Sequence, residues 1–195
     1  MARQGECERT TKETSIRVSI DLDGHGATSI ATGLPFFDHM LELMFRHALI
    51  DISLEAKGDL QVDGHHTVED TGLAIGEALS IALGDKAGLT RFASSLVPMD
   101  ECLAEVAIDM SGRPFLSYKV DLEPEPLGNF EPNLSRDFFQ AIVNEAAMTM
   151  HVELRCGTNV HHGLEAVFKA VGRAMKTAVA LDQRVLDVPS TKGVL

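Results

Sequence analysis

Ile50, Ile52, Leu54 and Ala56 alternate with more polar neighbours, and that period of two predicts a half-buried β-strand. Just upstream, Met40, Leu41, Met44 and Phe45 recur with the i, i+1, i+4, i+5 spacing of one helix face. Both patterns return later in the chain. Adding 98 to the strand positions gives Met148, Met150, Val152 and Leu154, which alternate again; adding 98 to the helix positions gives Phe138, Phe139, Ile142 and Val143. Earlier still, Glu13 precedes alternating Ile16, Val18, Ile20 and Leu22, and adding 88 reaches Glu101 followed by Ala104, Val106, Ile108 and Met110. Downstream, GHHTVED leads into TGLAIGEALSIAL and VHHGLEA into VFKAVGRAMKTAV, two helical patterns offset by 96.

Strands, a short helix, a strand, His-His-x-x-Glu and a long helix therefore occur twice in the same order, with length changes only between blocks. Four blocks in register point to an internal duplication. The chain divides near Val97-Pro98 into halves 1–97 and 98–195, which form one compact duplicated domain. Each half is expected to be an α+β unit of the β-β-β-α-β-α type. An open sheet with helices on one face hides its apolar surface by pairing, so the halves are expected to pack about a pseudo-two-fold axis. The Pro-rich stretch Glu123 to Pro132, EPEPLGNFEP, predicts a surface loop.

With 195 residues, 45% of them apolar, the chain can bury a substantial core. Its 17 basic and 29 acidic side chains give a net charge of −12, which argues against nucleic acid or an anionic membrane as partner, because binding a phosphate backbone needs a basic face. A small anionic ligand remains compatible. No stretch approaches the roughly 20 apolar residues needed to cross a bilayer, and the opening MARQGECERTTKET is too polar for a signal-peptide core, so the expected location is cytoplasmic. Cys7, Cys102 and Cys156 are odd in number and widely spaced, as reduced thiols would be.

Four of the eight histidines form two adjacent pairs, His65-His66 and His161-His162, each followed in the same register by a glutamate, Glu69 and Glu165. Helix residues three and four apart share a face, so each glutamate lies beside its pair. Adjacent helix residues point about 100° apart. Each pair is therefore expected to straddle two ions, or to reach one ion in its own subunit and another across an interface. His39 opens the first short helix, and its repeat partner is Asp137. Two matching sets of four result: His39, His65, His66, Glu69 and Asp137, His161, His162, Glu165. Imidazole with carboxylate and no thiolate suits Mn²⁺, Fe²⁺ or Zn²⁺. His25, His47 and His151 lack such repeat partners and are expected to be ordinary polar or substrate-side residues. A two-metal hydrolase and a metal-storage or metal-sensing assembly are the competing functions for such a site.

The segments RTTKETSI, GLPFFDHML, GDLQVDGHHTVEDTG, SGRP, NVHHGLEAVFKAVGRAM and PSTKG span nearly the whole chain in order. In these segments the sequence resembles the imidazoleglycerol-phosphate dehydratase family, lyases of histidine biosynthesis. The resemblance implies a duplicated α+β fold, two sheets with helices packed between them, like ribosomal protein S5 domain 2. It also implies two Mn²⁺ ions per active site, sites at subunit interfaces, and a homo-oligomer, a 24-mer. Its metal ligands map onto His39, His65, His66, Glu69, His161, His162 and Glu165. Where the family has histidine this chain has Asp137, a harder oxygen ligand that would shift metal preference or leave a position for water; the repeat keeps it in the ligand set. The substrate phosphate would be held by Arg91, Arg113, Lys169, Ser190 and Lys192, guanidinium forks and point charges. The catalytic carboxylates would be Glu13, Glu69 and Glu165, with Glu13 the acid/base near the reacting carbons and its repeat partner Glu101 the next choice.

The implied reaction removes water from D-erythro-imidazole glycerol phosphate to give imidazole acetol phosphate. The proton to be lost is not next to a carbonyl, so a base alone does not suffice. Two metals on the ring nitrogens would stabilise an imidazolate, which expels the adjacent hydroxyl to form a diazafulvene. Carbon deprotonation then gives an enol that tautomerises to the ketone. The ions act as Lewis acids and template, and fixed charges stabilise developing anions.

Overall fold

The computed structural model describes residues 3–195. The first half contains β1 (Gln4–Thr10), β2 (Thr14–Asp21), β3 (Thr28–Ala31), α1 (Pro35–Ala48), β4 (Asp51–Gly58) and α2 (His65–Leu83). The second half repeats the order with β5 (Phe92–Met99), β6 (Cys102–Asp109), β7 (Phe115–Lys119), α3 (Leu134–Glu145), β8 (Thr149–Cys156) and α4 (Val160–Ala178). The expected β-β-β-α-β-α unit is thus present twice.

Each half forms a four-stranded mixed sheet, in the orders β1-β2-β4-β3 and β5-β6-β8-β7. The first three strands of each are antiparallel and the fourth, a short edge, runs parallel to its neighbour. Register is repeated as well as topology: Gln4 faces Asp21 in one sheet, and Phe92 faces Asp109 in the other. Alternation sets which face is covered. Ile16, Val18 and Ile20 of β2, like Ala104, Val106 and Ile108 of β6, turn inward and are buried.

The four helices lie between the sheets. α2 covers β1, β2 and β4, α4 covers β5 and β6, and the short helices cross over, α1 against α4 and α3 against α2. Each helix pair therefore joins the two halves. At the centre Phe37 meets Phe138 edge-on at 5.0 Å and Phe138 stacks on Phe168 at 5.8 Å, all three fully buried. The two crossings use the same repeat positions: Gly76 of α2 faces Ile142 of α3, and Gly172 of α4 faces Met44 of α1.

Two details of the chain bear on the boundary near Val97-Pro98 and on the Pro-rich loop. Val97 and Pro98 lie inside β5, which pairs with β6, so the chain passes between the two sets of elements earlier, in residues 84–91. Pro98 is accommodated because β5 is an edge strand, where a missing N–H costs no ladder bond. The segment from Glu123 to Pro132 is a loop, yet it sends Phe130 into the core against Phe36 and Phe37, at 5.5 and 5.6 Å. No helix among the described residues is long and apolar enough to cross a membrane.

Candidate metal centre

Both His-His pairs open a long helix. At α4 the Asn159 side chain caps the first turn by accepting the N–H of His162 at 3.0 Å, and before α2 the Asp63 carboxylate accepts the N–H of His65 at 2.8 Å. These caps fix where each pair begins its helix, and the glutamate follows one turn later on the same face.

The first histidine of each pair faces a helix from the other half. His161 Nε2 lies 3.1 Å from the Glu165 carboxylate, and His39 Nε2, on α1, lies 3.8 Å from the same oxygen. One donor atom from each of these three residues falls within 4.8 Å of the others. Glu165 is buried, and its other oxygen accepts from Lys169 Nζ at 2.5 Å. Burial opposes charge on Glu165, but the hydrogen bond and charge of Lys169, with His161 and His39, hold its carboxyl below the ordinary range.

The pseudo-equivalent group is looser. His65 stands between two carboxylates, with Nε2 at 3.6 Å from Glu69 and Nδ1 at 3.7 Å from Asp137 of α3. All three side chains are 40–49% exposed. Cavities of about 370 and 400 Å³ flank the group, one bordered by Asp137 and Arg136, the other by His65, Leu34 and Asn129.

The second histidine of each pair turns to a different carboxylate set, as the angular separation of neighbouring helix residues requires. His66 Nδ1 lies 3.1 and 3.2 Å from the two Asp59 oxygens and 3.9 Å from Glu13. His162 Nδ1 bonds Glu101 at 3.0 Å, and its Nε2 lies 3.8 Å from Asp100. The Asp59 hydrogen bond raises the His66 pKa, and the Glu101 hydrogen bond raises that of His162 while pulling the Glu101 carboxyl down to about 2.

Asp59 and Asp100 were not among the residues picked out from sequence. The repeat partner of Asp59 is Gly157 and that of Asp100 is Lys12, so neither carries the duplication signal that exposed the others.

The phosphate-binding candidates fall into two groups. Lys169 belongs with Glu165. Arg91 binds Asp109 at 2.7 and 3.2 Å and the Pro189 carbonyl at 2.6 Å, which ties the C-terminal tail carrying Ser190 and Lys192 to the end of the second sheet. Arg113 follows that sheet end, and Leu195 packs against the neighbouring Gly112. No hydrogen bond or ion pair among the described residues joins this group to Lys169.

Two pseudo-equivalent histidine-carboxylate groups, each joined by a helix from the opposite half, define a duplicated α+β protein in which the His39, His161 and Glu165 donors gather within 4.8 Å, as a divalent metal would need, while Glu69 and Asp137 stand on opposite nitrogens of His65. The chain belongs to the imidazoleglycerol-phosphate dehydratase family of hydro-lyases, whose family model matches residues 32–175. The imidazoleglycerol-phosphate dehydratases of Pelobacter propionicus and Granulibacter bethesdensis are 53% and 54% identical to it, over the whole of both chains. Among solved structures, the Staphylococcus aureus enzyme superimposes with a TM-score of 0.83 at 38% identity, covering 92% of this chain and 99% of that one. The Pyrococcus furiosus enzyme, in complex with (S)-C348, gives 0.84 at 35% identity and covers 97% of this chain and 100% of its own.

Proposed function

We propose that this protein dehydrates D-erythro-imidazole glycerol phosphate to imidazole acetol phosphate in histidine biosynthesis, with two Mn²⁺ ions per active site. The observation that carries the proposal is the convergence of His39, His161 and Glu165 from both halves of a chain so similar to enzymes of that name. Two imidazole nitrogens and one carboxylate oxygen within 4.8 Å fit a divalent ion with positions to spare. When bound, such ions supply Lewis acidity and a template for a nitrogen-bearing ring.

The chain's own groups account for the rest. Glu101 is engaged, accepting from His162 Nδ1 at 3.0 Å and from the Asn159 N–H at 3.3 Å. Glu13 is less committed, 3.9 Å from His66 with its side chain 55% exposed, which favours it as the group that takes the carbon-bound proton. The C–H and neighbouring C–O bonds break, the hydroxyl leaves with a proton as water, and the resulting enol tautomerises to the ketone. Arg91, Arg113, Ser190 and Lys192 serve the phosphate, with Lys169, held beside Glu165, as a further cation for it. His66 and His162, which face away from the His65 and His161 groups, support sites shared between subunits of a homo-oligomer, a 24-mer, with their free nitrogens serving ions held by a neighbour. Three free cysteines fit a cytoplasmic setting.

The test is to incubate the Mn²⁺-loaded protein with imidazole glycerol phosphate and, separately, with generic phosphomonoesters. Ketone formation from the former is expected. Free phosphate would instead indicate a two-metal hydrolase, and neither product a storage or sensing assembly.

A further inference from the structure

Asp70 is buried on α2, one residue after Glu69 and one turn after His66. Its carboxylate reaches across to the hairpin that carries Glu13. Oδ2 accepts the Thr14 hydroxyl at 2.5 Å and Oδ1 accepts Arg9 Nε at 2.9 Å, so one side chain holds both strands of the hairpin, β1 through Arg9 and β2 through Thr14. The Thr14 hydroxyl also lies 3.3 Å from that of Thr11. Because the Thr14 proton goes to Asp70, Thr11 is the donor in that pair, and its lone pairs are left for the chain. They accept the backbone N–H groups of Glu13 at 3.1 Å and Thr14 at 3.0 Å. Hydrogen bonds therefore run from α2 through two hydroxyls to the backbone of Glu13. His66 and Asp70 share a face of α2, so the anchor sits one turn from the ring that the Glu13 carboxylate faces at 3.9 Å.

The duplication supplies an internal comparison. The repeat partners of Arg9, Thr11, Thr14 and Asp70 are Val97, Met99, Cys102 and Ala166, which offer neither the carboxylate nor the guanidinium of this network. Glu101, the counterpart of Glu13, is gripped by its own carboxylate instead, through His162 and the Asn159 N–H. The tether thus occurs in the half whose glutamate is held by its backbone and keeps its side chain 55% exposed.

We propose that Asp70 is a positioning residue for the reaction: through Thr14 and Thr11 it fixes the hairpin turn on α2, so that Glu13 is presented to the carbon-bound proton with its carboxylate uncommitted. The inference rests on the reading of Glu13 as the acid/base. A hairpin tip is ordinarily among the more mobile parts of a fold. With the backbone of the turn held, only the Glu13 side chain remains to be ordered when the proton moves, and less misalignment has to be overcome. Burying the Asp70 carboxylate is costly unless it is paired and hydrogen-bonded, as Arg9 and Thr14 do here; a small apolar residue, as at Ala166, carries no such cost.

The test uses the full-length protein with Mn²⁺ and three variants. Thr14→Val removes the hydroxyl at nearly constant shape, Thr14→Ser keeps it, and Asp70→Asn removes the charge. Each is made in the parent and in Glu13→Gln, and kcat, KM, Mn²⁺ affinity, thermal midpoint and amide hydrogen exchange at Glu13 are measured. Thr14→Val and Asp70→Asn are expected to speed exchange at Glu13 and to lower kcat by up to about 10²-fold, with KM and Mn²⁺ affinity little changed. Thr14→Ser should stay near the parent in both readouts. In the Glu13→Gln background the same substitutions should lower kcat no further, because a group that acts through Glu13 has nothing left to place. If Asp70→Asn proves too unstable to fold, Thr14→Val carries the test alone. Equal fold losses of kcat in both backgrounds, or faster exchange with kcat unchanged, would overturn the positioning role and leave the proposed function standing. Normal turnover in Glu13→Gln would overturn the reading of Glu13 and the positioning role with it.

Discussion

Gly172 of α4 stands so close to Met44 of α1 that a Cβ there would lie 2.2 Å from the Met44 carbonyl oxygen. The close approach lies along the helix pair that carries His39 on one side and His161 and Glu165 on the other. A carbonyl oxygen fixed in a helix cannot swing aside as a side chain can. Gly172→Ala should gain about 1 kcal/mol of helix propensity and lose about 1–3 kcal/mol to overpacking, a net destabilisation seen as a lower thermal midpoint. Because relief comes only by parting α1 from α4, metal affinity should fall too. Gly76→Ala, where the nearest atoms are Glu145 Cβ at 2.7 Å and the Ile142 carbonyl oxygen at 2.9 Å, should be milder because both are farther away than the Met44 oxygen is from Gly172. Equal and negligible effects at both positions would show that the crossing does not set the site.

Asp51, at the start of β4, accepts the backbone N–H groups of Ala27 at 2.8 Å and His25 at 2.7 Å and so fixes the turn before β3. Those bonds, Ala27 first, hold its carboxyl below the ordinary 3.8. A folded pKa below the unfolded one gives stability that is fully present above pH 3.8 and is lost as pH falls through the folded value. At neutral pH Asp51→Ala should cost about 1 kcal/mol, since the bonds are solvent-exposed. As pH falls below the folded value the parent and variant denaturation curves should converge; a constant gap down to low pH would remove the charge from the explanation.

How much of this could be seen in the sequence depended on whether a residue's role is local and repeated. β2 and β4 alternate plainly because their inner faces take large apolar side chains. β1 does not: its inward positions include Gly5, where a Cβ would lie within van der Waals overlap of the Ala78 carbonyl, because α2 packs almost directly on the backbone. β5 inverts the usual pattern, exposing Phe92 and Leu96, and carries Pro98 at its edge position. The His-His-x-x-Glu groups were legible because i, i+4 geometry needs no tertiary knowledge. Which helix completes each group was less so, since His39 joins Glu165 only when α1 crosses to α4. Asp59 and Asp100 arrive from loops at positions the duplication does not share, and no periodicity marks them.

The Asp59 carboxylate grips His66 Nδ1 through both oxygens and is itself largely enclosed, with 18% of its side chain exposed. Such a bond holds the proton on Nδ1 and leaves Nε2 as a free ligand. Asp59 is therefore a positioning residue. Asp59→Ala should weaken metal binding by about 10–100-fold while saturating Mn²⁺ restores kcat. Asp100→Ala should have a smaller effect, because His162 keeps Glu101 at 3.0 Å. A loss of kcat that excess metal does not rescue would place Asp59 in the chemistry instead.

Glu13 and Glu101 occupy the same position in the two halves, yet their surroundings assign them different work. Glu101 is bonded by His162 and by the Asn159 N–H, so Glu101→Gln removes the partner that orients a histidine. Its first consequence should be weaker metal binding. Glu13 makes no such bond to His66, which has Asp59 for that purpose, and its carboxylate is free to exchange a proton with substrate. Glu13→Gln keeps shape and loses only basicity. It should retain metal and substrate affinity while kcat falls by about 10²–10⁴-fold, the usual share of a general acid/base. Measuring kcat, KM and metal affinity for both variants separates the roles: near-normal turnover in Glu13→Gln would remove Glu13 from proton transfer, and a kcat loss confined to Glu101→Gln at saturating metal would transfer the role to Glu101.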